Sequence, residues 1–496
     1  MSPSVIDLTG DGTREILIAD GDSCVYGWNA SGQLLAGFPY STLGPCNSGQ
    51  PRTRSSLAIA DLDQDGVLEV VLGTRGVSNT AGQRGKVFVL NALTGAAKWI
   101  KETEWSGAGV DISEVTSVAL ANVAGNSRLE VLAGTSNNNA AVSPNLYAWD
   151  AAGNPVSAAY PLAFRTAGIY GQIGAADLTG DGWAELVTGR DVVHMFAYNG
   201  DGSPLPNWPI STYFDPARAT WGQDLYLEFT QNTPAMGDLN GDSLREVVIV
   251  GELNDPARPS GQKVIGSAVL VLKPNGERLN CWQAPPIGGP PLFGDFLPTM
   301  GPALADLNGD GRLDIVTTMS DGYVRAYGAN GQRLWQYNFA QGQPLFASEP
   351  VIGDISGDGR VDIVFGTYAP DKSPAARAAV RLIALDAQGQ MLSGFPVPLQ
   401  PEANVTAVGI RAAPTLADVD NDGLVEIVAT DWSGAVYLWD TTASYVSTHL
   451  PWPTGRQNNR RTGEAPAGSP PVTSAINPPG PQRLFLPLIS TVGGCN

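Results

Sequence analysis

A nine-residue acidic motif recurs eight times along the 496 residues, and few folds can accommodate such a pattern. The copies begin at Asp7, Asp61, Asn122, Asp177, Asp238, Asp306, Asp354 and Asp418, spaced 48 to 68 residues apart. Each has the same neighbours. A short apolar segment such as SPSVI, GPALA or APTLA precedes it, and a β-branched run such as EILIA, EVVIV or DIVFG follows. A third apolar run comes next (GKVFVLNALTG, YVRAYGANG, AVYLWDTTA). A ragged fourth segment then often ends in aromatic-Pro, as at Phe38-Pro39 and Trp208-Pro209. Self-similarity at this period marks a repeat architecture. Four short strands per unit, with no helical periodicity, mark a β-propeller blade. One such sheet leaves both faces apolar and cannot fold alone, whereas radial packing buries both faces and leaves only short edges. The expected fold is therefore all-β: a propeller of eight four-stranded blades with the acidic loops between strands 1 and 2, with seven blades as the alternative. Blade limits fall at about 1–52, 53–113, 114–170, 171–231, 232–299, 300–347, 348–411 and 412–462. Residues 463–496 form a Pro-rich linker and a tail whose apolar patch, RLFLPLI, reads either as a docking segment or as a disordered end.

Composition removes several function classes. Lys+Arg 29 against Asp+Glu 48 gives a net charge of −19, which argues against nucleic acid as a partner, because that needs a cationic face. No apolar run reaches the length of a membrane span. The N-terminal MSPSVIDLTGDG has neither the basic start nor the apolar stretch of a signal peptide. None of the four cysteines sits in a CxxC pair. Cys24 and Cys46 are close enough to bridge in an oxidising compartment, and buried thiols are the other reading.

Each acidic loop is a candidate cation site. Positions 1, 3, 5 and 9 carry side-chain oxygens, alternate spacing in a tight loop points them inward, and position 7 offers its backbone carbonyl. A hard cation such as Ca²⁺ takes six to eight oxygens at ~2.3–2.6 Å, which this set can supply. Seven sets are complete, and up to seven ions per chain are expected. They are Asp7, Thr9, Asp11, Thr13, Glu15; Asp61, Asp63, Asp65, Val67, Glu69; Asp177, Thr179, Asp181, Trp183, Glu185; and Asp238, Asn240, Asp242, Leu244, Glu246. The rest are Asp306, Asn308, Asp310, Arg312, Asp314; Asp354, Ser356, Asp358, Arg360, Asp362; and Asp418, Asp420, Asp422, Leu424, Glu426. Twenty-four of the 48 acids stand at such positions, and clustered carboxylates repel unless a cation joins them. An ordinary Asp-Gly turn explains the glycine and first Asp but not the acid at position 9. The third loop, with Asn122, Ala124 and Asn126 in place of ligands and only Glu130 left, is expected to stay empty. The fifth, with Ser243 in place of glycine, is expected to bind more weakly; the second and eighth, with four acids each, most tightly.

On these motifs the chain resembles the FG-GAP/VCBS-type repeat propellers, the fold of the integrin α-subunit head, over about residues 1–462. The resemblance implies bound calcium and an extracellular or cell-surface setting. It leaves the function broad, since such blades serve adhesion, carbohydrate binding and some enzymes. The expected role is a binding or adhesion module for a protein or carbohydrate ligand. The alternative is an enzyme on the same scaffold, a polysaccharide lyase or, less so, a quinone-dependent dehydrogenase. The latter rests on NALTGAAKW (Asn91–Trp99), which resembles a Trp-docking repeat but stands clearly once, with no neighbouring cysteines. No GxSxG, HExxH or P-loop is present, and no catalytic residue is assigned. His194 reads as a strand residue, and His449 has no acid or nucleophile close in sequence. A ligand face is expected opposite the acidic loops, where the 2–3 and 4–1 connections vary in length. Loops on a rigid scaffold carry function. Trp221, Tyr226, Phe293 and Phe296, beside Tyr213, Phe214 and Phe229, suit a sugar or a protein side chain, or else cap the gaps between blades 4, 5 and 6.

Overall fold

Period-two alternation along the second strand of each unit sets the architecture. In blade 1 (second strand Glu15–Ala19), Ile16 and Ile18 pack with Ala417, Val428 and Leu438 of blade 8. Leu17 and Ala19 turn the other way, onto Leu57, Ile59, Val70 and Phe88 of blade 2. Blade 2 repeats the device: Val70 and Leu72 face back, and Val71 faces forward onto Val115, Val118 and Val131 of blade 3. Every sheet is thus buried on both faces, and blade 1 against blade 8 closes a ring of eight four-stranded blades. This computed structural model describes residues 1–21, 24–42, 46, 53, 55–78, 80–104, 113–136, 142–165, 168–191, 193–229, 232–292, 301–369, 373–399, 407–466 and 483–485.

Antiparallel register runs strand to strand outward from the axis, as in Ala303↔Val316, Val316↔Ala326 and Ala326↔Trp335 of blade 6. Blade 7 gains two short pieces, Phe346–Ala347 and Val408–Gly409, on its long second strand Asp362–Ala369. The outer strand of blade 8, Arg483–Phe485, comes from the tail and pairs with Tyr437–Trp439. Blades are also pinned to their neighbours by indole N–H groups that reach a carbonyl in the next blade's 3–4 turn. Trp99 donates to Ala151 O (2.9 Å), Trp208 to Pro274 O (2.8 Å), Trp282 to Ala329 O (3.0 Å) and Trp335 to Ala387 O (2.8 Å). Trp99 is thereby one of four such staples among the described residues. Cys24 and Cys46 form a disulfide in blade 1, Cys281 is free and exposed, and Cys495 lies outside the described residues.

The axis of the ring is filled by the chain itself. Residues 452–465 wind around it, and among the described residues seven of the eight innermost strands hydrogen-bond to them. Ile352 of blade 7 exchanges N–H···O bonds with Trp452 (2.8 and 3.1 Å), and Leu416 of blade 8 donates to Pro453 O (2.8 Å). Asn459 Nδ2 donates to Val5 O of blade 1 (2.9 Å). Ile59, Leu120, Ala175 and Met236 of blades 2 to 5 then donate to the carbonyls of Asn459, Arg460, Thr462 and Gly463 (2.8–2.9 Å). These strand edges would otherwise present unpaired backbone groups. Two arginines anchor the segment. Arg461, wholly buried, donates to Leu57 O, Thr454 Oγ1, Gly455 O and Ser4 Oγ at 2.8–3.0 Å. Arg456 reaches Val118 O (3.0 Å), and its own N–H donates to Glu349 Oε1 (2.9 Å). Burial pulls Arg461 down to about 10, still charged at neutral pH.

Candidate metal centre

The eight acidic loops are all built on one hydrogen bond. The carboxylate at position 9 begins the second strand (in blade 8 it is that strand's third residue), is buried, and accepts the N–H of position 2. The pairs are Leu8 to Glu15 (2.8 Å), Leu62 to Glu69 (2.8 Å), Val123 to Glu130 (2.8 Å) and Leu178 to Glu185 (2.7 Å). Leu239 to Glu246 (2.9 Å), Leu307 to Asp314 (3.0 Å), Ile355 to Asp362 (3.0 Å) and Val419 to Glu426 (2.5 Å) complete the set. The position-1 aspartate folds the loop around itself. Asp306 Oδ1 accepts the Gly309 N–H (2.7 Å) and its Oδ2 accepts that of Gly311 (2.8 Å), as Asp7, Asp177 and Asp354 do in their own loops. The position-6 residue carries φ between +64° and +93°, and Ser127 (+64°) and Ser243 (+72°) adopt it as the glycines do. That left-handed turn favours glycine, so the fifth loop keeps its shape at some backbone cost.

The third loop keeps the same fold on amides: the N–H groups of Val123 and Ala124 both donate to Glu130 Oε2, and Arg128 donates to Asn126 Oδ1. The acid at position 9 therefore has a structural duty in every loop, with or without a cation. Position 5 is an exposed aspartate in all seven intact loops, and in each its Oδ1 accepts the N–H of position 7, as Asp11 does for Thr13 and Asp422 for Leu424. The tight oxygen groups form at positions 1, 3 and 9. Among the described residues, Asp61, Asp63 and Glu69, and likewise Asp418, Asp420 and Glu426, bring ligand oxygens within 4.8 Å of one another. These are the two four-acid loops. Asp418 Oδ1 is buried there without a hydrogen-bond partner.

Burial raises the position-9 carboxyls, with neighbouring loop aspartates adding to it: Glu185, Glu246 and Asp314 to about 7, Asp362 and Glu426 to about 8. Glu15, Glu69 and Glu130 shift the same way for the same main cause. Three cationic or titratable side chains not assigned to the loops from sequence lie beside them. His449 Nδ1 is 3.9 Å from Asp354 Oδ2, the Arg14 guanidinium is 3.9 Å from Asp418 Oδ2 and bonds the Asp418 carbonyl, and Lys98 enters the second loop. His194 begins the third strand of blade 4.

The aromatic face divides. Trp221 is 61% exposed and leans on Tyr226, ring centroids 5.4 Å apart. Tyr226 itself is not on a solvent-facing loop: it lies in the strand Tyr226–Glu228, 7% exposed, packed with Tyr213 and Val193. Its partner Asn254 ends the second strand of blade 5, which starts at Glu246, so this site lies opposite the acidic loops. Phe229 is buried between blades 4 and 5. Phe293 and Phe296 lie outside the described residues. A crevice of about 530 Å³ opens between blades 4 and 5, lined by Asn207, Pro216, Lys273 and Arg278 among others. The Arg278 guanidinium is spent on the carbonyls of Tyr213, Phe214 and Gln283.

The family model of the FG-GAP-like repeat matches residues 306–365, from the first ligand of the sixth loop into the second strand of blade 7. Comparison with curated proteins gives no match. Among solved structures, the exotype rhamnogalacturonan lyase YesX is similar at 16% identity and TM-score 0.51, over 96% of this chain and 79% of the enzyme. BamB from Moraxella catarrhalis gives 15% and 0.48 over 89% and 95% of the two chains. The V. cholerae biofilm matrix protein Bap1 gives 14% and 0.47 over 86% and 84%. At these identities the likeness is one of fold.

Proposed function

Since the chain is an FG-GAP-type β-propeller of eight blades, we propose that it is a calcium-stabilised binding module that works outside the cell, with the face opposite the acidic loops as its ligand surface. The observation that carries this reading is the loop geometry. A buried acid at position 9 faces the carboxylate of position 1, and each already spends oxygens on backbone N–H groups that hold the loop open. A divalent ion between them would relieve the burial of two like charges. The Cys24–Cys46 disulfide supports an oxidising compartment. Among the described residues no helix is long and apolar enough to cross a membrane. For a ligand, exposed Trp221 on a rigid scaffold suits a sugar ring or an apolar protein side chain.

The lyases share the fold, and fold does not carry chemistry to this chain. The test combines three arms. Elemental analysis should find several calcium ions per chain after dialysis, and a chelator should lower the melting temperature by mass action. A panel of glycans and matrix proteins should give at least one ligand whose binding is weakened by Trp221→Ala. Cleavage of a polysaccharide in the same panel would replace the binding module with an enzyme, and an unchanged melting curve on chelation would remove calcium from the reading.

A further inference from the structure

We infer that blade 2 carries its own cation and that its loop, the one richest in acids together with the eighth, does not take up calcium in the native chain. This rests on the reading that the other intact loops bind the ion. Lys98 lies on the outer strand Ala97–Glu102 of blade 2. Its Nζ is 2.8 Å from Asp63 Oδ2, 3.3 Å from Asp65 Oδ2 and 2.5 Å from Glu69 Oε1. Those oxygens belong to positions 3, 5 and 9, the side chains a metal would need. An ammonium has three N–H donors and no acceptor; this one donates to Asp63 and Asp65 and makes an ion pair with Glu69. Glu69 is wholly buried and its other oxygen accepts the Leu62 N–H, so the lysine meets the one charge in the loop that is most costly to leave alone. Asp61 completes the ring by accepting the N–H groups of Asp65 (3.1 Å) and Gly66 (2.9 Å).

A calcium ion would have to draw the same oxygens to ~2.3–2.6 Å, which brings a divalent charge against the ammonium that already holds them. One must leave. The lysine is tethered by its own strand and is never diluted away.

Blade 6 lacks this arrangement. Trp99 and Trp335 make the same indole staple to the following blade, which aligns the two outer strands and sets Leu334 of blade 6 where blade 2 has Lys98. Leu334 is half-exposed and offers the sixth loop no charge. A count of acids therefore ranks the second loop too high. Its net demand is met within the fold, and it stays shaped when calcium is scarce.

The full chain, equilibrated in buffered free calcium, is weighed by native mass spectrometry beside Lys98→Met, Asp61→Ala, Asp306→Ala and the double variant Lys98→Met/Asp61→Ala. The inference expects Lys98→Met to carry one ion more than the native chain. It expects Asp61→Ala alone to change the native count by none, and the double variant to lose the ion that Lys98→Met gained. Equal counts for the native chain and Lys98→Met overturn it, as does loss of an ion from Asp61→Ala alone, which reads the same point should Lys98→Met not fold. The calcium reading itself fails separately, if the native chain and Asp306→Ala both carry no ion.

Discussion

The carboxylate at position 9 does two jobs, and the second has a pH signature. It closes the loop onto the N–H of position 2 in all eight copies, including the third, where Glu130 stands without other ligands. In the chain without metal, burial raises Glu185, Glu246 and Asp314 to about 7 and Asp362 and Glu426 to about 8. An unfolded carboxyl titrates near ~4. The folded state thus binds more protons between these values, so its stability is complete below the unfolded value and falls as pH rises through about 7–8. Chelated protein should melt lower at pH 8.5 than at pH 5.5, and millimolar calcium should remove the difference; a chelated protein equally stable at both would show that burial does not hold these protons. Metal counting gives a second residue-level outcome: Asp306→Ala loses one ion and Asn122→Ala loses none. The loop positions were legible because their spacing repeats eight times. The N–H duty of position 9 was not, so that acid read as a mark of metal alone. His449, Arg14 and Lys98 were hidden for a different reason: each reaches its loop from another strand or blade, and no local pattern announces a cation that arrives through tertiary packing.

Strands and turns followed from the sequence because two short-range rules write them, alternation of apolar residues and Asp-Gly turns at fixed offsets. What joins one blade to the next is less local. The four indole staples come from dissimilar stretches, AKWIKE and RLWQYN in outer strands, but NWP in a loop and NCW in a short 3-10 turn, so only Trp99 stood out as a motif. The 4–1 connection of blade 4 shows the same limit. Its aromatics were equivalent in sequence, yet Tyr213, Tyr226 and Phe229 are buried and Trp221 is exposed. This gives a paired prediction. Tyr226→Ala should cost about 3–5 kcal/mol, as truncating a buried aromatic does. Trp221→Ala should stay within ~0.5 kcal/mol of native, as exposed substitutions do, while weakening whatever the ligand face binds. Urea melts and affinity measured on the same preparations separate the two effects. Should Trp221→Ala unfold like Tyr226→Ala, the indole is packing rather than a ligand contact, and the binding surface has to lie elsewhere.

The number of blades could be counted from the repeats, but the manner in which the ring is held could not. The segment TGRQNNRRTGE has no apolar periodicity and reads as the end of blade 8 running into the linker, and its hydrogen bonds go to strands far apart in sequence. Only when eight innermost strands surround an axis does such a segment have a place: seven of them present their middle residues to it in ring order, from Ile352 of blade 7 round to Met236 of blade 5. A closed axis also bears on function, because it leaves the two faces of the ring, and not a central channel, for a ligand. The buried guanidinium of Arg461 ties this segment to the innermost strands of the neighbouring blades 1 and 2, through Ser4 and Leu57. Arg461→Met keeps most of the volume but strands those acceptors in the interior. Each buried group left unpaired costs about 1–3 kcal/mol, so a total loss of roughly 3–5 kcal/mol is expected for a group with several such partners. Arg218, exposed and paired with Asp224, is the control, and its change to Met should cost under ~1 kcal/mol. Hydrogen exchange distinguishes a loosened axis from general destabilisation. In Arg461→Met the amides of Ile59, Leu120, Ala175 and Met236, which donate to the axial segment, should lose protection before those of the second strands, which pair away from it. If all strands lose protection together, the segment is not a separate closing element, and the ring stands or falls as one unit without it.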